Sequence, residues 1–491
     1  MTPAGAGVRV ATAGGVVEGR RDGEVVGFLG IPFGAAPVGP GRFAAPRPAP
    51  GWTGVRDASR PGPAAPQAPG RLDHAIGPLG MPQDEDCLTL NVWTPAADRS
   101  ARPVVVFLHG GGFTSGSGGM DRYNLADFAA AGDLVAVSAN YRLGALGYLY
   151  LGEAGVANAG LLDQIAALRW VREHAAAFGG DPERITVLGQ SAGAQSIIAL
   201  MAAPAAAGLF QRAVLQSPPL GMRPLTTDQA AGTAERFVHV LEQSGGGADL
   251  RERPAQDFLD AQDVLARAGG RLLDLSPPLQ LVADGEWVQE DLTAAVAAAP
   301  PAVDVLLGWN RDEVDAFYTP DPRLRQLTHE QVAGAARKVY GDAAAEAAIA
   351  AQLARHPEAT PGQLASALTT EHFLAGPTAR LAARLADAGG RVFVYRFDWH
   401  PEGNLLRACH CLELPFVFGN TAAWKIAPMM EGARPGQVAE LVRVVRGAWI
   451  AFAHTGSPQH AGLPDWPAHR PGQPALLHLA EQPRLSQGRD S

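Results

Sequence analysis

The chain has 491 residues, 47% hydrophobic and 18% charged, which is the composition of a globular protein with ample material for a core. Asp and Glu number 49 against 40 Lys and Arg, giving a formal net charge of −9. That balance excludes nucleic acid as a partner, because no basic stripe is present to neutralise phosphates. Lysine is confined to Lys338 and Lys425, and arginine, alanine, glycine and proline are abundant, a usage that points to a GC-rich bacterial genome.

In chain order, Met1 to Val17 holds no apolar stretch of signal-peptide length. Residues 34–70 are proline-rich, but Phe43 and Trp52 predict an ordered surface segment. Short β-branched runs then alternate with helical patterns, which predicts a mostly parallel sheet flanked by helices. The expected strands are Val104–Leu108, Leu134–Ala139, Ile185–Gly189, Ala213–Gln216, Val303–Leu307 and Val392–Phe397. Leu161, Leu162, Ile165, Leu168 and Val171 recur at helical spacing, and Asp181-Pro182 reads as a helix cap with a first-turn proline. Ile185 to Gln211 carries no charge and is long enough to span a bilayer. Its glycines, Gln190, Ser191 and Pro204 instead predict a buried strand, a sharp turn and a buried helix, with no membrane span. The alanine-rich segments at about 226–298 and 322–388 interrupt the strand series and are read as helical inserts in a single catalytic domain over residues 1–491. Gln437–His454 is a carboxy-terminal helix ended by Gly456 and Pro458.

Four segments carry chemistry. Gly189-Gln190-Ser191-Ala192-Gly193 follows a strand and precedes a helix, the setting of a nucleophile elbow. A serine hydroxyl is a poor nucleophile, so it needs a base, and its reaction needs donors aimed at the developing oxyanion. His109-Gly110-Gly111-Gly112-Phe113 follows the strand Val104–Leu108, and its glycines let backbone N–H groups approach a ligand. Gly111, Gly112 and Ala192 are thus the expected oxyanion hole. Acid and base should follow in that order. Gly308-Trp309-Asn310-Arg311-Asp312-Glu313 and the stretch Arg407 to Phe416 around His410 stand where they are required. The residues alone do not choose Glu313 over Asp312 or Asp315.

The cysteines, Cys87, Cys409 and Cys411, fit neither a disulfide framework nor a zinc site. No His-Glu-x-x-His pattern occurs. No metal and no cofactor are expected, and the reducing cytoplasm is the expected compartment.

These motifs, with Gly30-Ile31-Pro32-Phe33-Gly34, Glu85 to Trp93, Asn140 to Gly144, Asn158 to Gln164, Phe178 to Pro182 and His410 to Gly419, resemble the type-B carboxylesterases, the para-nitrobenzyl esterase and cholinesterase-like family, from about Val8 to about Pro467. The resemblance implies an α/β-hydrolase fold with helical inserts forming a substrate gorge. It implies Ser191 as nucleophile, His410 as base and Glu313 as acid, with Gln190, Ser217 and Glu413 around them. Short or medium alkyl or aryl esters are the implied substrates, a small-molecule ester the only implied partner, and a monomer the implied state. Three departures stand out. Gln190 replaces the usual glutamate before the serine, and Val314 replaces a glycine that often follows the acid. Ala64 and Ala65 stand where secreted relatives carry a cysteine that pairs with the one at Cys87. Two other functions share this pattern: a non-catalytic cholinesterase-like recognition protein, and an acyltransferase using the same acyl-enzyme. A cholinesterase would need an aromatic cage, and Gly62–Asp86 has no Phe, Tyr or Trp.

Overall fold

The structure is a computed structural model that describes residues 7–487 except 246, 248, 270 and 299–301. A 13-stranded sheet organises it. From Val135–Ala139 the order runs through Arg102–Leu108, Gly180–Gln190, Arg212–Gln216, Asp304–Asn310 and Val392–Phe397 to Ala475–Leu479, every neighbour parallel. Strands Val8–Thr12, Gly15–Asp22, Val25–Pro32 and Thr89–Thr94 extend one edge antiparallel, and Arg484–Gln487 closes the other.

Each central strand is apolar on both faces, as a sheet covered on two sides requires. Successive side chains go to opposite cores. Val104, Val106, Val187 and Leu307 pack with Leu161, Ile165 and Leu168 of the helix Ala159–His174. Val105, Phe107, Leu188 and Leu306 pack with Phe128 of Ala126–Gly132 and with Val445, Trp449 and Phe452 of Pro435–Thr455. The last helix stops at Gly456, whose φ of 71° is left-handed.

The expected strands are all present, several of them longer. The helix start read at Asp181-Pro182 is not there: both residues lie in the strand Gly180–Gln190. The Asp181 carboxylate accepts the Glu183 N–H at 2.9 Å, so it makes a local turn instead of a helix cap. Phe43 is buried and the Trp52 indole donates to the Val16 carbonyl at 2.9 Å, so the proline-rich segment is packed down.

The first insert region carries the helices Thr227–Gln243, Ala255–Gly269 and Leu292–Ala298, and the second carries His329–Tyr340, Asp342–Arg355, Pro361–Thr370 and Gly376–Asp387. Thr226 with Gln229, Thr328 with Gln331 and Thr360 with Gln363 form reciprocal capping boxes, which start these helices where they start. Val332, Ala336, Ala345, Leu364 and Leu368 form a separate small core. No helix of the described residues is long and apolar enough to cross a membrane.

Candidate active site

The candidate residues gather at the carboxyl ends of the parallel strands, the edge where open α/β sheets bind ligands. The strand Gly180–Gln190 ends at Ser191, whose φ of 56° and ψ of −124° put a non-glycine residue in a costly region. The strain is held by neighbours. The Ser191 N–H donates to the Gln216 carbonyl of the next strand at 2.8 Å, and the helix Ala192–Ala202 begins at once. Glycine is needed at Gly193 because a Cβ there would strike the Leu108 carbonyl, and at Gly189 because a Cβ would meet the Gly193 backbone at 2.6 Å.

His109 roots the glycine loop. Its ring stacks on Tyr141 with centroids 4.4 Å apart, and the Tyr141 hydroxyl donates to the His109 carbonyl at 2.6 Å. Burial depresses the His109 pKa to about 4, so it is a neutral structural ring. Gly111 and Gly112 have φ of 118° and 59°. Their N–H groups donate to no other protein group among the described residues. Ala192 is the first residue of its helix, so its N–H is also free of an intrahelical partner. All three amides can therefore serve a ligand.

Of the three candidate acids, Glu313 alone meets the histidine. Its Oε2 lies 2.5 Å from His410 Nδ1, and its Oε1 accepts the Asn310 N–H at 2.7 Å. Asp312 faces Arg311 and Arg407, while Asp315 accepts from Arg407 at 2.5 Å and from the Ser366 hydroxyl at 2.6 Å. Val314, in the place of a glycine, has a φ of −86° that any residue adopts. The loops carrying acid and base are joined through the main chain. Arg311 N–H donates to Phe397 O at 2.9 Å, Asp312 N–H to Ala408 O at 2.9 Å, and His410 N–H to Glu313 O at 3.1 Å.

Gln190 lies closer to the chemistry than its sequence position implies. Its side-chain amide is 3.0 Å from His410 Nε2. An amide N–H can donate only to a lone pair, so Nε2 is the unprotonated nitrogen and Nδ1 carries the hydrogen shared with Glu313. A Cβ on Gly110 would meet the Gln190 Oε1 at 2.5 Å, so that glycine makes room for the amide. The Ser191 hydroxyl has no hydrogen-bond partner among the described residues, and the side chain keeps 9% exposure.

Neither Glu413 nor Ser217 hydrogen-bonds His410 among the described residues. The Glu413 carboxylate accepts from Gln216 Nε2 at 2.9 Å and Asn310 Nδ2 at 2.7 Å, not from His410. Burial, and then the charge of Glu313, raise its pKa to about 7. The buried Ser217 hydroxyl has no partner among the described residues. Its backbone is left-handed, with φ of 49°, and its N–H donates to Gly308 O. The links that sequence reasoning missed are Gln216 and Asn310. Both are amides at the carboxyl ends of strands, which was the available signal.

Ser191, Gln190, His410 and the glycine loop line a cavity of about 970 Å³, its open mouth included. Its walls are largely apolar, with Leu72, Ile76, Met120, Met222, Phe317 and Phe373 prominent. Cys411 also reaches it, but burial pushes both Cys409 and Cys411 far above the ordinary thiol range, so neither offers a thiolate. Cys87 is buried too, and all three thiols are free. No group of three or more metal-ligating side chains occurs among the described residues.

Comparison with known proteins places the chain in a family. Residues 6–490 match the model of the carboxylesterase family. The chain is 39% identical to the phenmedipham hydrolase of Pseudarthrobacter oxydans over 481 residues, covering 96% of this chain and 94% of that one. It is 38% identical to the para-nitrobenzyl esterase of Bacillus subtilis (strain 168), covering 94% and 92%. A solved thermophilic para-nitrobenzyl esterase superposes with a TM-score of 0.86 at 36% identity, covering 98% of this chain and 97% of that one.

Proposed function

The chain belongs to the carboxylesterase family, with the α/β-hydrolase fold and ester hydrolysis as its activity, and we propose that it works through a Ser191 acyl-enzyme. The observation that carries the assignment is the 2.5 Å pairing of Glu313 with His410 Nδ1. It leaves Nε2 as the basic nitrogen, in the cavity that Ser191 and the glycine loop line.

Nε2 takes the Ser191 proton as the oxygen attacks the ester carbonyl, forming one C–O bond. Glu313 holds the ring and stabilises the imidazolium without taking its proton. The amides of Gly111, Gly112 and Ala192 receive the oxyanion. His410 then protonates the departing alkoxide as its C–O bond breaks. Water, deprotonated by the same nitrogen, releases the acid and restores the serine. Gln190 must give up Nε2 for the first transfer, because one lone pair cannot accept from both the amide and the hydroxyl.

The largely apolar walls favour alkyl or aryl esters of short or medium chain. In this reading the enzyme acts as a cytoplasmic monomer without a cofactor. Labelling with a fluorophosphonate, followed by peptide mapping, tests the assignment: one adduct on Ser191 is expected, and an adduct on another serine overturns it.

A further inference from the structure

Gly62–Asp86, the stretch without aromatic residues, supplies part of the cavity wall, including Gln67, Arg71, Leu72 and Asp73. The Arg71 side chain is exposed at the junction of two spaces. It lines the cavity with Ser191 and also the wide cleft beside the first insert. Thr114, Leu275 and Pro277 are shared in the same way, so the junction is the mouth of the gorge.

Arg71 is held in place without a paired carboxylate, with Asp274 acting on its charge only at longer range. Nη1 donates to the Leu275 carbonyl at 2.8 Å, and the guanidinium lies 5.4 Å from the Phe317 ring centroid. The other side of that packing is the catalytic base: Phe317 and His410 have centroids 5.5 Å apart. Arg71 makes no ion pair among the described residues, whereas Arg42, Arg142 and Arg407 are each matched to a carboxylate. A guanidinium has five donors in a planar fork, and only one is shown engaged here. The cavity's own carboxylate, Asp73, accepts the Gly70 N–H at 3.0 Å instead.

We propose that Arg71 is a specificity-determining residue that receives a carboxylate on the part of an ester remote from the scissile bond. Phe317 acts as the spacer between the recognised group and the reacting one. A paired fork is the strong geometry for a carboxylate, and the rim location allows entry without burying an uncompensated charge. The inference rests on Ser191 as nucleophile, since that assignment fixes where the scissile bond lies.

Two matched pairs test it. The acyl pair is 4-nitrophenyl pentanoate with mono-4-nitrophenyl glutarate, and the alcohol pair is methyl 4-acetoxybenzoate with 4-acetoxybenzoate. Arg71→Ala should lower kcat/KM about tenfold for the charged member of one pair and leave both neutral members within about twofold. Arg71→Lys should restore part of the loss, and Asp73→Asn should shift preference further toward the charged ester. Equal losses on charged and neutral members would make Arg71 a prop for the Leu275 chain and overturn the proposal, as would no loss on any. If the unaltered enzyme cleaves neutral esters and neither charged one, the carboxylate reading fails while Ser191 stands.

Discussion

The sheet carries two rows of the same three groups. At the strand ends stand Glu313, His410 and Ser191. At the edge, Asp398 lies 2.9 Å from His478 Nδ1, and His478 Nε2 lies 2.9 Å from the Ser486 hydroxyl. By hydrogen bonds alone the edge row is the more complete, because His410 Nε2 is held by Gln190 and the Ser191 hydroxyl has no partner among the described residues. The surroundings separate them. Ser486 lies in the regular strand Arg484–Gln487, whereas Ser191 is strained at a helix start beside free amides and a cavity. A row of acid, imidazole and hydroxyl is thus common chemistry, and strain, oxyanion donors and a wall for substrate make one of them a candidate catalyst.

The sharpest way to break this comparison is at the serines. Ser191→Ala should reduce kcat by about 10⁴ or more with the fold retained, while Ser486→Ala should keep kcat/KM within about twofold. Steady-state kinetics on one soluble ester, with circular dichroism as the folding control, decides it. Esterase activity that survives in Ser191→Ala and vanishes in Ser486→Ala would reverse the two rows.

The acids should part in a different quantity. Glu313→Gln should cost about 10³-fold in kcat or more, since the imidazolium loses its partner. Asp315→Asn and Asp398→Asn should stay active once folded, because Asp315 serves Arg407 and Ser366, and Asp398 serves the edge. For Asp398 burial raises the pKa, but hydrogen bonds and charge from His478 and Arg396 outweigh it and leave about 2. A depressed carboxylate pKa contributes stability that is present above the unfolded value near 4 and is lost as pH falls toward 2. Melting curves between pH 5 and pH 2 (about the range of that titration) should therefore fall less steeply for Asp398→Asn than for the parent. Parallel curves would remove Asp398 from the account.

The smallest effect concerns Gln190, which has no counterpart in the edge row. Gln190→Glu puts a carboxylate where the amide now touches Nε2, and opposite charge favours the imidazolium. The acidic limb of kcat/KM should move up by about one pH unit, because the base must be neutral to act. Superimposable limbs on a neutral ester would show that the charge at this position does not reach the base.

Much of this was legible in the sequence. The elbow, the glycine loop and the strand order rest on local rules, since small residues between a strand and a helix permit few backbones. The choice of Glu313 over Asp312 and Asp315 was not legible from periodicity, because all three occupy one short loop and differ only in which loop they face. The resemblance supplied Glu313, the one of the three whose carboxylate lies 2.5 Å from His410 Nδ1. Ser217 and Glu413 show the opposite limit. The resemblance put them on the histidine side of the site, while the hydrogen bonds to Glu413 come from Gln216 and Asn310, and sequence patterns report faces within an element, not contacts between elements. Asp181-Pro182 failed for a local reason: an aspartate that caps a turn has the same sequence signature as one that caps a helix.

The main-chain bridges between the acid loop and the histidine loop have a consequence for how such an enzyme diversifies. Acid and base are registered to each other by peptide groups, which every side-chain substitution except proline leaves in place. The relation between them is thus inherited as one module, while the wall residues of Gly62–Asp86 belong to a separate stretch of chain. Substrate range can drift at the wall, through exchanges at positions such as Arg71 or Asp73, without any retuning of the proton relay. A transplant of this relay to another sheet would have to carry both loops together, because neither alone holds the spacing.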